Sequence, residues 1–192
     1  MFIEAVILGI IIGLIRHGKV SRLSYMNFNM SFLIYISATL YISIIVMNLG
    51  LLDYSSFLYT AFLIISYILI GIFLIFNIEI KFMFVPLIGL FTNLLCFIVN
   101  GFKFPLSSFA VSELYGTEMY DLLINGKIKF YIPADNAVLS FLGNVIYINK
   151  YKVISIGDII ISIGIVLVIQ SIVSDKYMRN KSKITFSKKM FK

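Results

Sequence analysis

The sequence predicts an all-α membrane protein, a bundle of five transmembrane helices with an extracytoplasmic segment of about 50 residues that contains an interfacial or re-entrant helix. Three observations predict this class. Hydrophobic residues fill 60% of the 192 positions and charged residues 13%, with a mean hydropathy of +1.01. So little polar surface cannot clothe a soluble domain of this length. Five apolar runs punctuate the chain, and Lys and Arg concentrate on alternate connections between them, the pattern of loops that face the cytoplasm in turn.

Set against a hydrocarbon core of about 30 Å and a helical rise of about 1.5 Å per residue, the runs fall at residues 2–15, 30–52, 57–76, 82–100 and 153–173. The first reaches only about 21 Å, so its ends snorkel, the bilayer thins, or it leans on longer neighbours. A cleaved signal peptide is the competing assignment, but no basic residue precedes this run and no small-x-small site follows it. No linker, charge block or repeat divides residues 1–174, which form one transmembrane domain; residues 175–192 form a basic tail.

Orientation follows from the basic residues. Arg16, Lys19 and Arg22 follow the first run, Lys81 the third, and Lys176, Arg179, Lys181, Lys183, Lys188, Lys189 and Lys192 the fifth. The other side holds Asp53 and a long connection with Lys103, Lys127, Lys129, Lys150 and Lys152. The N-terminus is therefore expected outside and the C-terminus in the cytoplasm. Most of the net charge of +7 sits in the tail, which fixes topology during insertion and can be drawn to anionic lipid by up to about 1 kcal/mol per residue. A tail of 18 residues offers no fold for reading nucleic acid, so none is expected as a partner. Ten-residue strand alternation is missing, so the inner or plasma membrane is expected rather than an outer-membrane barrel. Abundant Ile, Asn, Lys, Phe and Tyr without Trp suggest an AT-rich bacterial genome.

Small residues mark where helices touch. Gly9 and Gly13 form a GxxxG pair, and Gly157 and Gly164 recur after seven residues on one helix face. Packing within the monomer and homodimerisation through Gly9 and Gly13 are both open to such a pair. In the fourth run, Gly89, Asn93, Cys96 and Asn100 share one stripe, and Pro86 at its start lets the helix bend. Asp158 is the acid inside the fifth run, where a charge is costly unless it faces protein or trapped water. Asn93 is its expected hydrogen-bonding partner. Two roles are open to this group. It can glue and cap, with Ser155-Ile-Gly-Asp158 opening the helix; or Asn93, Asn100 and Asp158 can line a polar cavity for a cation, a proton or a substrate group. Glu4 lies within a turn of a terminus that reaches water.

Catalytic and metal-binding patterns are missing, and no cofactor is expected. The single Cys96 falls in mid-membrane and the single His17 in a loop, no Cys/His cluster offers metal ligands, and neither a Gly-x-Ser-x-Gly elbow nor a phosphate loop occurs. In the outer connection, residues 101–152, a helix is expected from Asp135, carrying Val138, Leu139, Phe141, Leu142, Val145 and Ile146 as a lid over the bundle. Glu113, Glu118 and Asp121 sit on a short amphipathic segment before it, most simply a solvated face.

Gly13-Leu-Ile-Arg16-His-Gly18-Lys-Val, Pro86-Leu-Ile-Gly89-Leu-Phe-Thr-Asn93 with Asn100-Gly101-Phe-Lys-Phe-Pro105, and Val153-Ile-Ser155-Ile-Gly157-Asp158 occur in this order along the chain. In these motifs the chain resembles the DUF5317 group of bacterial membrane proteins. The resemblance implies framework roles for Arg16, Asn93, Asn100 and Asp158 and brings no activity with it. The chain departs from that pattern at Phe102, Ala137 and Asn144, where the group has Gly, Thr and Asp.

Two function classes follow, with a third behind them. A non-enzymatic scaffold or accessory subunit would use the polar residues to hold the helices together, with the bilayer and another membrane protein or a second copy as partners. A small-solute, ion or proton-handling component would use Asp158 and Asn93 as its site. An intramembrane enzyme comes third, because no nucleophile–base–orienter set is visible.

Overall fold

The structure, a computed structural model, describes residues 1–48, 56–128, 130–148 and 152–175. The chain is predominantly helical. Five apolar helices fall on the five runs: α1 (Phe2–Ile15), α2 (Phe32–Asn48), α3 (Ser56–Phe76), α4 (Phe84–Val99) and, after the long connection that the sequence expects outside and that is called the outer segment for that expectation alone, α6 (Ile156–Ser174). Within these, Phe57–Phe76 and Ile156–Ser174 are long and apolar enough to cross a membrane, and the other three are shorter. At about 1.5 Å per residue, helices of 14, 17 and 16 residues reach about 21, 26 and 24 Å.

The helices stand in the order α1, α6, α4, α3, α2, so that the first and last of the five are neighbours. Their directions follow from what meets what. Gly9 lies against Ile169 and Gly13 against Val173, which makes α1 and α6 parallel. Gly164 meets Pro86 while Gly157 meets Asn93, so α4 runs antiparallel to α6. Leu74 shares a buried cluster with Met83 and Leu90, and Tyr59 and Leu63 share another with Phe97, so α3 is antiparallel to α4. Asn29 bonds to Asn77, Ser37 to Ser66, and Ile44 packs with Tyr59, so α2 is antiparallel to α3. Alternation is complete. One end of the bundle therefore carries Arg16, Lys19, Arg22 and Lys81, and the other carries Glu4, Lys152 and the outer segment.

Apolar side chains lie outside the helices as well as between them. Ile3, Tyr35, Phe57 and Phe91 are 76%, 73%, 77% and 64% exposed, whereas Ser37, Ser66, Asn77, Asn93 and Gln170 are buried. Many large apolar side chains therefore face outward, while Leu33, Phe73, Met83 and Phe97 fill the core between helices.

The outer segment differs from the expected lid. Its helix is α5 (Ser108–Ile124), capped by Ser107 and broken at Gly116, whose φ of 82° leaves the helical region. No helix starts at Asp135. The chain there makes single 3-10 turns at Ala134–Asn136 and Ser140–Leu142 between short strands. Strands β1 (Phe104–Leu106) and β2 (Tyr131–Pro133) pair in parallel, and β3 (Ile146–Ile148) with β4 (Lys152–Ile154) antiparallel. The physical reason is competition for backbone groups: Asn144 donates to the Pro105 carbonyl and accepts from Ser107 N, and Leu139 adopts φ 52°, so residues 135–146 cannot close i to i−4 bonds.

Candidate functional site

Because β4 runs to Ile154, α6 begins only at Ile156, and Asp158 lies in its first turn rather than deep in a span. Ser155 is the N-cap. Its hydroxyl accepts from Asp158 N at 2.9 Å, and Asp158 Oδ2 accepts from Ser155 N at 3.3 Å, a reciprocal capping box. The negative carboxylate also meets the positive end of the helix dipole.

Asn93 completes the group from α4. Its Nδ2 donates to Asp158 Oδ1 at 2.9 Å, and its Oδ1 accepts from the Ser155 hydroxyl at 2.8 Å. Asn93 and Ser155 are buried and Asp158 is half-buried. Glycine makes this closeness possible. A Cβ on Gly157 would overlap Asn93 Oδ1, one on Gly89 would lie 2.6 Å from the Gly157 carbonyl, and one on Gly164 would overlap Pro86. Pro86 itself sits in the first turn of α4, where its missing N–H leaves no bond unmade.

Gly9 and Gly13 are covered by Ile169 and Val173 of α6. That contact occupies the face on which a Gly9–Gly13 homodimer would form, so the pair packs within the chain. Gly18, which spacing did not single out, approaches as closely: a Cβ there would lie 2.5 Å from both the Gly13 and Val173 carbonyls.

Asn100 belongs to a different cluster from Asn93 and Asp158. Two turns on along α4, about 10 Å away, it ends the helix and clamps the outer segment. Its Oδ1 accepts from Val138 N at 2.9 Å, and its Nδ2 donates to the Val138 carbonyl and to the Cys96 carbonyl, both at 2.8 Å. Asn77 repeats the device at the opposite end. It accepts from Asn29 N at 2.8 Å and donates to the Asn29 and Phe73 carbonyls at 2.8 Å each. Each carboxamide bonds the carbonyl four residues back and one distant peptide. The signal shared by both in sequence is an Asn at the end of an apolar run; the stripe that marks Asn100 does not extend to Asn77.

Of the basic residues expected at the membrane surface, Arg16 and Lys19 have exposed side chains and Arg22 does not. Arg22 is buried and donates from Nη1 to the Val173 carbonyl at 2.6 Å, an oxygen that also accepts from Lys19 N at 3.0 Å. The last carbonyls of a helix lack intrahelical donors and carry partial negative charge, so a guanidinium is drawn to them. Arg16 reaches Gln170 Oε1 at 3.4 Å. Lys176, Arg179, Lys181, Lys183, Lys188, Lys189 and Lys192 lie outside the described residues, as do Asp53, Lys129 and Lys150.

A cavity of about 500 Å³ opens beside Asp158. It extends from Phe2, Tyr41, Asn93 and Asp158 at one end to Phe28 and Met83 at the other. Ser66 and Tyr67 are among its few polar lining groups. Cys96 lies near the outer end of α4 and His17 beyond the far end of α1, so the two are at opposite ends of the bundle. Among the described residues no group of three or more His, Cys, Asp or Glu could hold a metal ion.

The profile of DUF5317, a family of unknown function, matches residues 25–170. The chain belongs to this family. In this DUF5317 member the matched region contains Asn77, Asn93, Asn100, Ser155 and Asp158, while α1 with Arg16, Lys19 and Arg22 precedes it. No curated protein and no solved structure matches the chain.

Proposed function

We propose that this DUF5317 member is an integral protein of the bacterial inner or plasma membrane that crosses five times, with its N-terminus outside and its C-terminus in the cytoplasm. It acts as a non-enzymatic scaffold or accessory subunit. Support for the crossings comes from the strict alternation of five apolar helices and from their outward Ile, Tyr and Phe side chains. Support for the orientation comes from the count of basic residues, eleven Lys and Arg after the first, third and fifth runs against five Lys in the connection between α4 and α6. The basic tail would rest on anionic lipid. A second membrane protein or another copy would use an outward apolar face, because the glycine face of α1 is taken by α6.

The observation that carries the scaffold role is that both oxygens of Asp158 already accept hydrogen bonds within the chain, one from each of two elements. A group held this way binds α4 to α6 before it can do chemistry. One observation favours the second role, a small-solute, ion or proton-handling component: Asp158 and Asn93 also line the cavity.

Topology is tested by maleimide labelling of Lys19→Cys and Glu118→Cys, each in a Cys96→Ala background, in right-side-out and inverted vesicles. The two thiols are expected to react from opposite sides, and reaction from one side ends the five-crossing scheme. Asp158→Asn in proteoliposomes then divides the two roles. A lowered melting temperature supports the scaffold, and an unchanged one with altered proton or solute uptake supports transport.

A further inference from the structure

The cavity beside Asp158 is charged in one sense only. Among its lining residues Asp158 is the sole carboxylic acid, and there is no Lys, Arg or His. Each Asp158 oxygen accepts one hydrogen bond, while a carboxylate offers about four acceptor positions, so half remain open. The N-terminus of α6 contributes roughly half a positive charge, which leaves net negative charge against an apolar wall. A half-buried carboxylate facing an apolar wall is drawn to a ligand of opposite sign.

The remaining walls say what form the positive charge takes. Leu63, Ile70, Leu74, Ile161, Ile165 and Val168 supply hydrocarbon, not oxygen ligands. A bare Na⁺, Mg²⁺ or Ca²⁺ needs about six oxygens or its own water shell and is poorly served here. Tyr41 and Tyr67 line the cavity with the carboxylate, and aromatic faces attract cations that carry apolar substituents. The volume of about 500 Å³ is that of a small-molecule site.

We propose that this cavity binds a lipophilic cation, a quaternary ammonium or phosphonium with an apolar body, its charge held at Asp158 in the cavity that Tyr41 and Tyr67 also line and its body along α3 and α6. This goes beyond the scaffold role and depends on the cavity, not on the number or orientation of crossings. A mistaken topology therefore leaves it standing.

The test is binding of tritiated tetraphenylphosphonium to the full chain in phosphatidylcholine nanodiscs, read by scintillation proximity. Saturable binding is expected, displaced by dodecyltrimethylammonium and not by neutral triphenylphosphine oxide. Asp158→Asn is expected to weaken it by roughly tenfold or more. Ile165→Trp fills the cavity two turns from the capping box and is expected to abolish binding while the melting temperature holds. Where Asp158→Asn does not fold, Ile165→Trp decides alone. No saturable binding to the wild type, equal displacement by the neutral analogue, or undiminished binding in either folded variant overturns the proposal.

Discussion

The two ends of α6 solve the same problem by different routes. At its N-terminus the free N–H groups meet Ser155 and Asp158, side chains within four residues of each other. At its C-terminus the free carbonyl of Val173 meets Arg22, 151 positions away in sequence. Both follow one rule, an anion at the positive end of the dipole and a cation at the negative end. The difference is locality. Asn93 then converts the local cap into a bond between α4 and α6, and Arg22 converts the distant one into a bond between α6 and the connection after α1.

The largest expected effect breaks the N-terminal side. Gly157→Leu drives a side chain into Asn93, combining overpacking of about 1–3 kcal/mol with loss of buried hydrogen bonds of about 1–3 kcal/mol. Size-exclusion profiles in mild detergent should show aggregate in place of a monodisperse peak, and a well-behaved variant would mean that the helices do not approach this closely. Arg22→Ala comes next. Removing a buried charged donor from the Val173 carbonyl is expected to destabilise by about 1.5–3 kcal/mol, measured as a lower melting temperature, whereas Arg16→Gln, on an exposed arginine with a 3.4 Å contact, should leave it nearly unchanged. Equal effects at the two arginines would dissolve the distinction between a buried cap and a surface charge. Below Arg22→Ala comes Asp158→Asn, which removes the charge from the helix dipole and leaves one oxygen where two donors, Asn93 Nδ2 and Ser155 N, now bond; about 0.3–1 kcal/mol is expected from the dipole and about 0.5–1.5 kcal/mol from the lost hydrogen bond. A stability rise on this substitution would indicate that burying the carboxylate costs more than its cap and dipole return.

The outer segment makes the complementary point about legibility. Residues 131–148 carry enough apolar side chains to suggest a helix from Asp135, yet Asn100, Pro105 and Ser107 compete for that backbone and hold it in turns and short strands. Asn100 itself was singled out by the stripe it shares with Asn93, but the stripe could not tell that one carboxamide faces α6 and the other the outer segment. Asn77, with the same clamp, follows an apolar run as Asn100 does, but its partner Asn29 lies in a connection that no periodicity marks.

What the sequence determined alone were the five apolar runs, set by side-chain hydrophobicity; it offered the Ser155-x-x-Asp158 cap, a reach of three residues, as one of two roles, and the start of α6 at Ile156 decided for it. What only the tertiary structure decided was which orphaned backbone groups found which distant donors. Arg22 on Val173, Asn77 on Asn29 and Asn100 on Val138 are of this kind. A hydrogen bond is short-ranged, so the identity of its partner depends on where helices come to rest, and that depends on every contact at once.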